Sequence, residues 1–117
     1  MSTLSTILAV ILAVAFLGAG ITKLTRRQQM VDNFKRWGYA DAVLMATGGV
    51  ECLAAVLILA GIALPALAIA GGLLIIFVMV GALLTHQRAK DELAMWVAPL
   101  VLLALDVGLL VSMLPDG

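Results

Sequence analysis

The stretch Ala66–Thr85, ALAIAGGLLIIFVMVGALLT, runs for 20 residues without a charged side chain. In an α-helix, about 20 residues span the roughly 30 Å hydrocarbon core of a bilayer. Backbone groups in lipid must find their hydrogen-bond partners within their own segment, so a run of this length predicts a membrane-spanning helix. This stretch therefore indicates an integral membrane protein.

Three further apolar runs accompany it, two of them interrupted by a single acidic residue. The 117 residues are 64% hydrophobic and 12% charged, with a mean hydropathy of +1.20, whereas soluble domains carry about a quarter charged residues. We predict an all-α protein whose single membrane domain, residues 1–117, is a four-helix transmembrane bundle. The predicted helices are 4–24, 42–64, 66–86 and 93–114.

Several other protein classes are disfavoured. The first run has no basic residue before it, which favours a transmembrane helix over a cleavable signal peptide. Cys52 is the single cysteine, so the chain cannot form an intrachain disulfide, and it matches no zinc-site spacing. We therefore predict no metal site. The formal net charge of zero offers no reason to expect a nucleic-acid partner.

The basic residues indicate the orientation in the membrane. All seven Lys and Arg residues lie between the first two runs or between the last two: Lys23, Arg26, Arg27, Lys35, Arg36, Arg88 and Lys90. Segments rich in Lys and Arg stay on the cytoplasmic side. We expect a multi-pass protein of the inner (cytoplasmic) membrane, with these two segments inside and both termini outside.

Residues 30–39, in the first basic segment, predict an additional short helix. Its apolar residues recur at helical spacing and are Met30, Val31, Phe34 and Trp37. This pattern is typical of an amphipathic helix at the membrane interface, and Gly38 would end it. Such a helix either anchors the bundle through aromatic and basic contacts or covers a cavity that opens at that leaflet.

Glu51 is the strongest single indication of a functional site. It interrupts the second run about 13 Å from its start, and a carboxylate inside a membrane is costly unless it is paired or neutralised. The residues three and four positions away are small: Thr47, Gly48, Ala54 and Ala55. Small faces suit close helix packing, so we expect Glu51 to point into the bundle.

Lys23 and His86 lie near the cytoplasmic ends of the first and third predicted helices. Because each Cα–Cβ bond tilts toward the N-terminus of its helix, both side chains are directed back into the membrane, and Glu51 toward the same side. Small residues again lie nearby, at Ala15, Ala19, Gly81 and Ala82. We predict that Lys23, Glu51 and His86 form one polar site in the cytoplasmic half of the bundle.

Such a site could hold the carbonyl or hydroxyl head of an apolar molecule such as a quinone. A nearby lysine keeps a carboxylate ionised, and histidine is the residue type that exchanges protons near neutral pH. Glu51, Lys23 and His86 are thus candidate catalytic and ligand-binding residues, and Trp37 is a further ligand-binding candidate. The alternative is a structural Glu–Lys pair that fixes the arrangement of the helices.

Asp106 interrupts the fourth run about 20 Å from its start. The residues around it on its face are all leucine, at positions 102, 103, 109 and 110. Pro99, two turns earlier, removes one backbone hydrogen bond from the helix. Asp106 is either a protonated acid bonded to another helix or a partner for a second subunit. We expect it to support the site, or to replace one of the other candidates as a catalytic carboxylate.

Three motifs resemble the DoxX and DoxX-like membrane proteins. They are Phe16–Leu24 (FLGAGITKL), Gly48–Glu51 (GGVE) and Gly81–His86 (GALLTH), and the aromatic-basic stretch ending at Trp37–Gly38 fits the same pattern. The resemblance covers nearly the whole chain and implies a four-helix bundle. Its matched polar positions are Lys23, Glu51 and His86, and it does not extend to Asp106.

The resemblance also implies a redox setting. The name-giving member is associated with a thiosulfate:quinone oxidoreductase, and relatives are linked to oxidative-stress assemblies in the membrane. Since this chain has one cysteine and no haem or flavin motif, we expect a quinone- or lipophile-binding subunit of a membrane oxidoreductase rather than an electron carrier by itself.

Two other functions stay open. One is a small proton-coupled transporter, although the comparable small multidrug transporters carry their essential glutamate in the first helix. The other is a small membrane enzyme, of isomerase or epoxide-opening type, with Glu51 and Asp106 as acid and base. We also expect a homo-oligomer or a subunit of a larger complex, because Gly71, Gly72 and Gly81 suit contact between helices.

Overall fold

The computed structural model of the chain describes residues 1–115, and these form five α-helices and no strand. The helices are α1 (Thr3–Leu24), α2 (Gln28–Arg36), α3 (Asp41–Ala60), α4 (Pro65–Ala89) and α5 (Leu93–Ser112). All except α2 are long and apolar enough to cross a membrane. The predicted all-α bundle, with a short amphipathic helix after the first span, is confirmed.

The four long helices form a ring in which neighbours run antiparallel. α1 packs against α3 and α5, and α4 also packs against α3 and α5. The connections at 25–40 and 90–92 lie at one end, which we call the basic end because it carries the lysines and arginines. The turn at 61–64 and the start of α1 lie at the opposite end. The longest dimension is 46 Å, close to the roughly 40–45 Å of a bilayer with its headgroups.

The interior is formed by small and medium apolar side chains, while large apolar side chains cover the outside. The buried core consists of Ala9, Leu12, Ala13, Phe16, Ala54, Ala55, Ile58, Ile75, Met79 and Leu109. Phe77 is 77% exposed. An outer surface this apolar is unfavourable in water, so the burial pattern is that of a bundle solvated by lipid.

Glycines allow the long helices to approach closely. A Cβ atom at Gly20 of α1 would lie 2.7 Å from the Gly48 carbonyl oxygen of α3, and one at Gly71 would lie 2.9 Å from the Ala54 carbonyl oxygen. Gly72 packs in the same way against Leu110. Two of the three glycines that suggested self-association are therefore used inside the chain, whereas Gly81 has no neighbour within 4 Å of its added Cβ.

Two helix ends differ from the predicted bounds by three residues or more. α3 ends at Ala60 rather than at 64, since a residue before proline is disfavoured in helical conformation and Leu64 is extended (φ −127°, ψ 92°) ahead of Pro65. α4 continues past 86 to Ala89. Its polar last turn has the geometry of a helix but lacks the apolar composition on which the prediction depended. Lys90, with φ 55°, ends it in the left-handed region.

α2 is shorter than the amphipathic segment that predicted it, and it is docked on the bundle. Val31 and Phe34 are buried against Leu44 of α3. Gly38 has φ +83°, and the Tyr39 N–H donates to the Phe34 carbonyl. A left-handed glycine with this hydrogen bond is a Schellman ending, so Gly38 stops the helix as predicted and returns the chain toward α3.

Candidate functional site

Lys23 and Glu51 form an ion pair inside the bundle. Lys23 Nζ lies 2.7 Å from Glu51 Oε1, and the two side chains are 13% and 4% exposed. The contact is an ion pair between an ammonium group and a carboxylate oxygen. Lys23 has the larger exposed fraction of the two side chains.

The local sequence explains why these two side chains meet. Lys23 is in the last turn of α1, and Glu51 is about 15 Å along α3 from its start at Asp41. A Cβ atom at Gly48, one turn below Glu51, would lie 2.9 Å from the Lys23 Cβ. The absence of a side chain at Gly48 lets the lysine stem pass α3 and reach the carboxylate. This is the close packing that the small residues around Glu51 predicted.

His86 lies in a different cluster. Its Nδ1 is 2.6 Å from Asp91 Oδ2, and its ring lies 5.5 Å from the Trp37 ring and 6.1 Å from the Trp96 ring. Among the hydrogen bonds and ion pairs of the described residues, His86 has none with Lys23 or Glu51. The structure therefore brings together two of the three predicted site residues and places the third with partners nearer the basic end.

Asp91 is the centre of that second cluster, which we call the Asp91 cluster (Arg36, Trp37, His86, Asp91 and Trp96). Its side chain is only 2% exposed and is ion-paired with Arg36, and Trp37 Nε1 donates to Oδ2 at 3.0 Å. The hydrogen bond from Arg36, followed by that from His86, lowers the pKa of Asp91 to about 2. The carboxylate is thus charged at neutral pH and joins α2 to the α4–α5 connection.

Further polar and cation–π contacts extend from the Asp91 cluster across the basic end. The Tyr39 hydroxyl and the Thr85 hydroxyl are 2.7 Å apart, and the Arg88 guanidinium lies 4.9 Å from the Tyr39 ring centroid. Arg88 also donates to the Trp37 carbonyl oxygen at 2.8 Å. These contacts tie the residues that follow α2 to the end of α4, while α2 itself packs against α3 and α1 at the basic end.

Asp106 is fully buried and has no ionic partner among the described residues. It is 0% exposed, and neither carboxyl oxygen has a hydrogen-bond partner among residues 1–115. A Cβ atom at Gly72 of α4 would lie 3.2 Å from Oδ1, which places the carboxyl group against the α4 backbone. Because it is covered within one chain, a second subunit cannot pair with it unless the bundle opens.

Sequence reasoning missed Asp91 and Trp96. Asp91 follows His86 by five residues, and the chain turns back between them at Lys90, which adopts φ 55°. Left-handed residues are usually glycine or asparagine, so a lysine at this position gave no signal of the reversal. Among the described residues, no group of three or more His, Cys, Asp or Glu side chains is positioned to hold a metal ion.

Comparison with known proteins identifies the family. The model of the DoxX-like family matches residues 7–109. An uncharacterized protein of Bacillus subtilis (strain 168), YdgD, is 30% identical over 105 residues, which cover 89% of this chain and 92% of that protein. No solved structure matches the chain. With a family match over nearly the whole bundle and four candidate membrane spans, this multi-pass membrane protein belongs to the DoxX-like family.

Proposed function

We propose that this chain is a small membrane subunit that binds the polar head of a lipophilic molecule of the quinone class, with Lys23 and Glu51 as the binding groups. The observation that carries the proposal is the buried ion pair. Two opposite charges at 2.7 Å in an otherwise apolar helix interface offer a hydrogen-bond donor and an acceptor to a carbonyl or hydroxyl group in lipid.

The position of the pair supports a ligand that arrives from the membrane. Burying an ion pair costs desolvation energy that its mutual attraction often fails to recover, so burial alone contributes little stability. A carboxylate and an ammonium group retained inside a membrane are therefore a functional-site hypothesis. The partly exposed Lys23 side chain gives access at the surface of the bundle, within reach of lipid.

The basic end supports a role for α2 as the cover of this site. α2 is held at one side by Val31 and Phe34 against α3 and at the other by the Asp91 cluster. In this proposal His86 helps to attach α2 to the bundle, and Trp37, which follows α2, forms part of the cover over the Lys23–Glu51 pair.

We also propose that the basic end faces the cytoplasm, that the membrane is the cytoplasmic membrane, and that the chain works in a complex or as a homo-oligomer.

The direct test is photolabelling with a short-chain azidobenzoquinone in native membranes, followed by mass mapping of the modified peptides. We expect the label on the last turn of α1 and the middle of α3, around Lys23 and Glu51. An excess of unlabelled short-chain quinone should compete for the site, as expected of saturable binding.

The matched control is Glu92→Gln, which makes the same chemical change as Glu51→Gln at an exposed position before α5. Glu51→Gln should abolish the competed label, and Glu92→Gln should leave it unchanged. Label that is spread along the lipid-facing surfaces and is not competed would refute the proposal. Proton flux driven by a transported substrate, without quinone labelling, would favour the transporter instead.

A further inference from the structure

Asp106 is a buried group that the proposed binding function does not use. Both of its carboxyl oxygens lack a hydrogen-bond partner among residues 1–115, and the residue is 0% exposed. A Cβ atom added at Gly72 of α4 would meet both Asp106 Oδ1 and the Leu110 side chain, and fully buried Leu109 lies one turn along α5 from Asp106.

No charged side chain from the neighbouring helices lies at the level of Asp106. The helices packed against α5 are α1 and α4. The charged or titratable side chains of these two helices are Lys23, His86 and Arg88, all at the basic end. On α3, Glu51 is ion-paired with Lys23. Among residues 1–115, the titratable group at the opposite end is the amino group of Met1.

A cavity of about 250 Å³ opens at that opposite end. It is lined by Met1, Ser2, Ser5, Pro65, Ser112 and Met113. The Ser2 and Ser5 hydroxyl oxygens are 2.9 Å apart, and those of Ser5 and Ser112 are 2.7 Å apart. The cavity therefore contains a connected chain of hydroxyl groups that joins α1 to α5.

The cavity and the acid lie along one face of α5. Met113 is seven residues after Asp106, which is two helical turns or about 10 Å on the same face. Between them lies Leu109, with Leu110 beside it. Along α5 the carboxyl group is thus about two turns from the cavity lining, whereas the basic end is more than one helical turn farther away.

An ionised carboxylate without a partner in an apolar interior is so unfavourable that the group takes up a proton instead. We propose that Asp106 is a membrane-embedded proton-binding site that exchanges its proton with the serine-lined cavity at the opposite end of the bundle. Its ligand is the proton, and the binding reaction is the reversible conversion of the carboxylate to the neutral acid. This inference does not depend on quinone binding.

The test of the protonation state is infrared spectroscopy of the protein in lipid at neutral pH. The wild-type protein should show the carbonyl stretch of a protonated carboxylic acid. The Asp106→Asn variant should lack it, and Glu51→Gln should retain it. A wild-type spectrum without this band, or a band that is lost in Glu51→Gln and retained in Asp106→Asn, would overturn the proposal.

Isotope labelling makes the result independent of whether the variants fold. Protein grown with aspartate ¹³C-labelled at the side-chain carboxyl should show a shifted acid band, whereas protein labelled at the glutamate carboxyl should not. A shift with labelled glutamate alone would assign the proton to Glu51 and refute the proposal.

The route is tested by the rate at which the acid band shifts after transfer to D₂O. Leu109→Ala removes a buried side chain that lies between Asp106 and Met113 along α5, and it should accelerate the exchange several-fold. The control is Ile58→Ala, which also removes a 0% exposed core side chain but lies on α3. Equal acceleration in both variants would show general loosening of the core and would contradict entry through the cavity.

Discussion

The Asp91 cluster and the surroundings of Asp106 show two opposite ways of burying an aspartate in one small protein. Asp91 accepts from Arg36, Trp37 and His86, while Asp106, at 0% exposure, has no partner among the described residues. Glu51 lies between them in depth and has one partner, Lys23. Burial alone therefore does not define a site. The number of available hydrogen-bond donors decides whether a buried carboxylate is an ionised group that joins helices, one member of an ion pair that binds a ligand, or a neutral acid.

The largest expected effect is on thiol labelling, which should be all-or-none because it reports which side of the membrane each region faces. In a Cys52→Ala background, cysteines at Ser2 and Ala63 should react with a membrane-impermeant thiol reagent added outside intact cells. A cysteine at Lys90 should react only after the membrane is opened. Labelling at Lys90 alone would show that the bundle has the opposite orientation in the membrane, with the serine-lined cavity on the cytoplasmic side.

The next effect is on stability and separates the paired acid from the unpaired one. Glu51→Gln leaves the Lys23 ammonium without its counter-charge and should lower the free energy of unfolding by about 3 kcal/mol, at the low end for broken buried pairs because Lys23 is near a helix end. Adding Lys23→Met should recover part of that loss. The measurement is reversible unfolding in mixed detergent micelles.

Glu92→Gln and Lys35→Met are the matched controls, since both residues are exposed. Each should change the free energy of unfolding by less than about 0.5 kcal/mol. If the effects of Glu51→Gln and Lys23→Met add within about 0.5 kcal/mol, the two residues are not coupled, and the ion pair does not define this region.

A smaller effect tests the close approach of α1 and α3 that brings the pair together. At Gly20, alanine would place its Cβ 2.4 Å from Cys52 Sγ and 2.7 Å from the Gly48 carbonyl oxygen, so the helices must separate. We expect Gly20→Ala to destabilise the fold by about 1–3 kcal/mol.

Gly18→Ala is the control within the same helix, because nothing lies within 4 Å of its added Cβ. It should be neutral or stabilising by up to about 1 kcal/mol, owing to the better helix propensity of alanine. Equal effects of the two alanine substitutions would show that helix contact at Gly20 does not control the geometry of the site.

The smallest effect is local and concerns the Asp91 cluster at low pH. The pKa of Asp91 lies at about 2 in the folded chain, below its ordinary value of 3.8. Ionised Asp91 therefore favours the docked α2 above about pH 4, and this contribution is lost as the pH falls toward 2. In a Trp96→Phe background, the fluorescence of Trp37 should change over that window.

Asp91→Asn should show the undocked signal of Trp37 at every pH in this range. Asp32→Asn is the control, since the Asp32 carboxylate is exposed and, among residues 1–115, accepts only from Gln28 on α2 itself. If Trp37 keeps its neutral-pH fluorescence in Asp91→Asn, the cluster does not hold α2 in place.

Much of the bundle was predictable because hydrophobic length is a local property of the sequence. The four spans and the glycine stop of α2 follow from composition and from Gly38, and the direction of Glu51 follows from the small residues on its face. The partners of His86 and the surroundings of Asp106 were not predictable in this way. They depend on the left-handed conformation of Lys90 and on the packing of α4 against α5 at Gly72. Neither feature produces a periodic pattern in the sequence.

The central claim is that Lys23 and Glu51 bind a ligand and do not merely hold α1 against α3. The most direct measurement is competed azidobenzoquinone labelling of the double variant Lys23→Met with Glu51→Gln, at a temperature where its fold matches that of the wild type. We expect a folded bundle that has lost the competed label. A folded double variant that is labelled as strongly as the wild type would show that Lys23 and Glu51 do not bind the quinone and would leave the ion pair with a structural role alone.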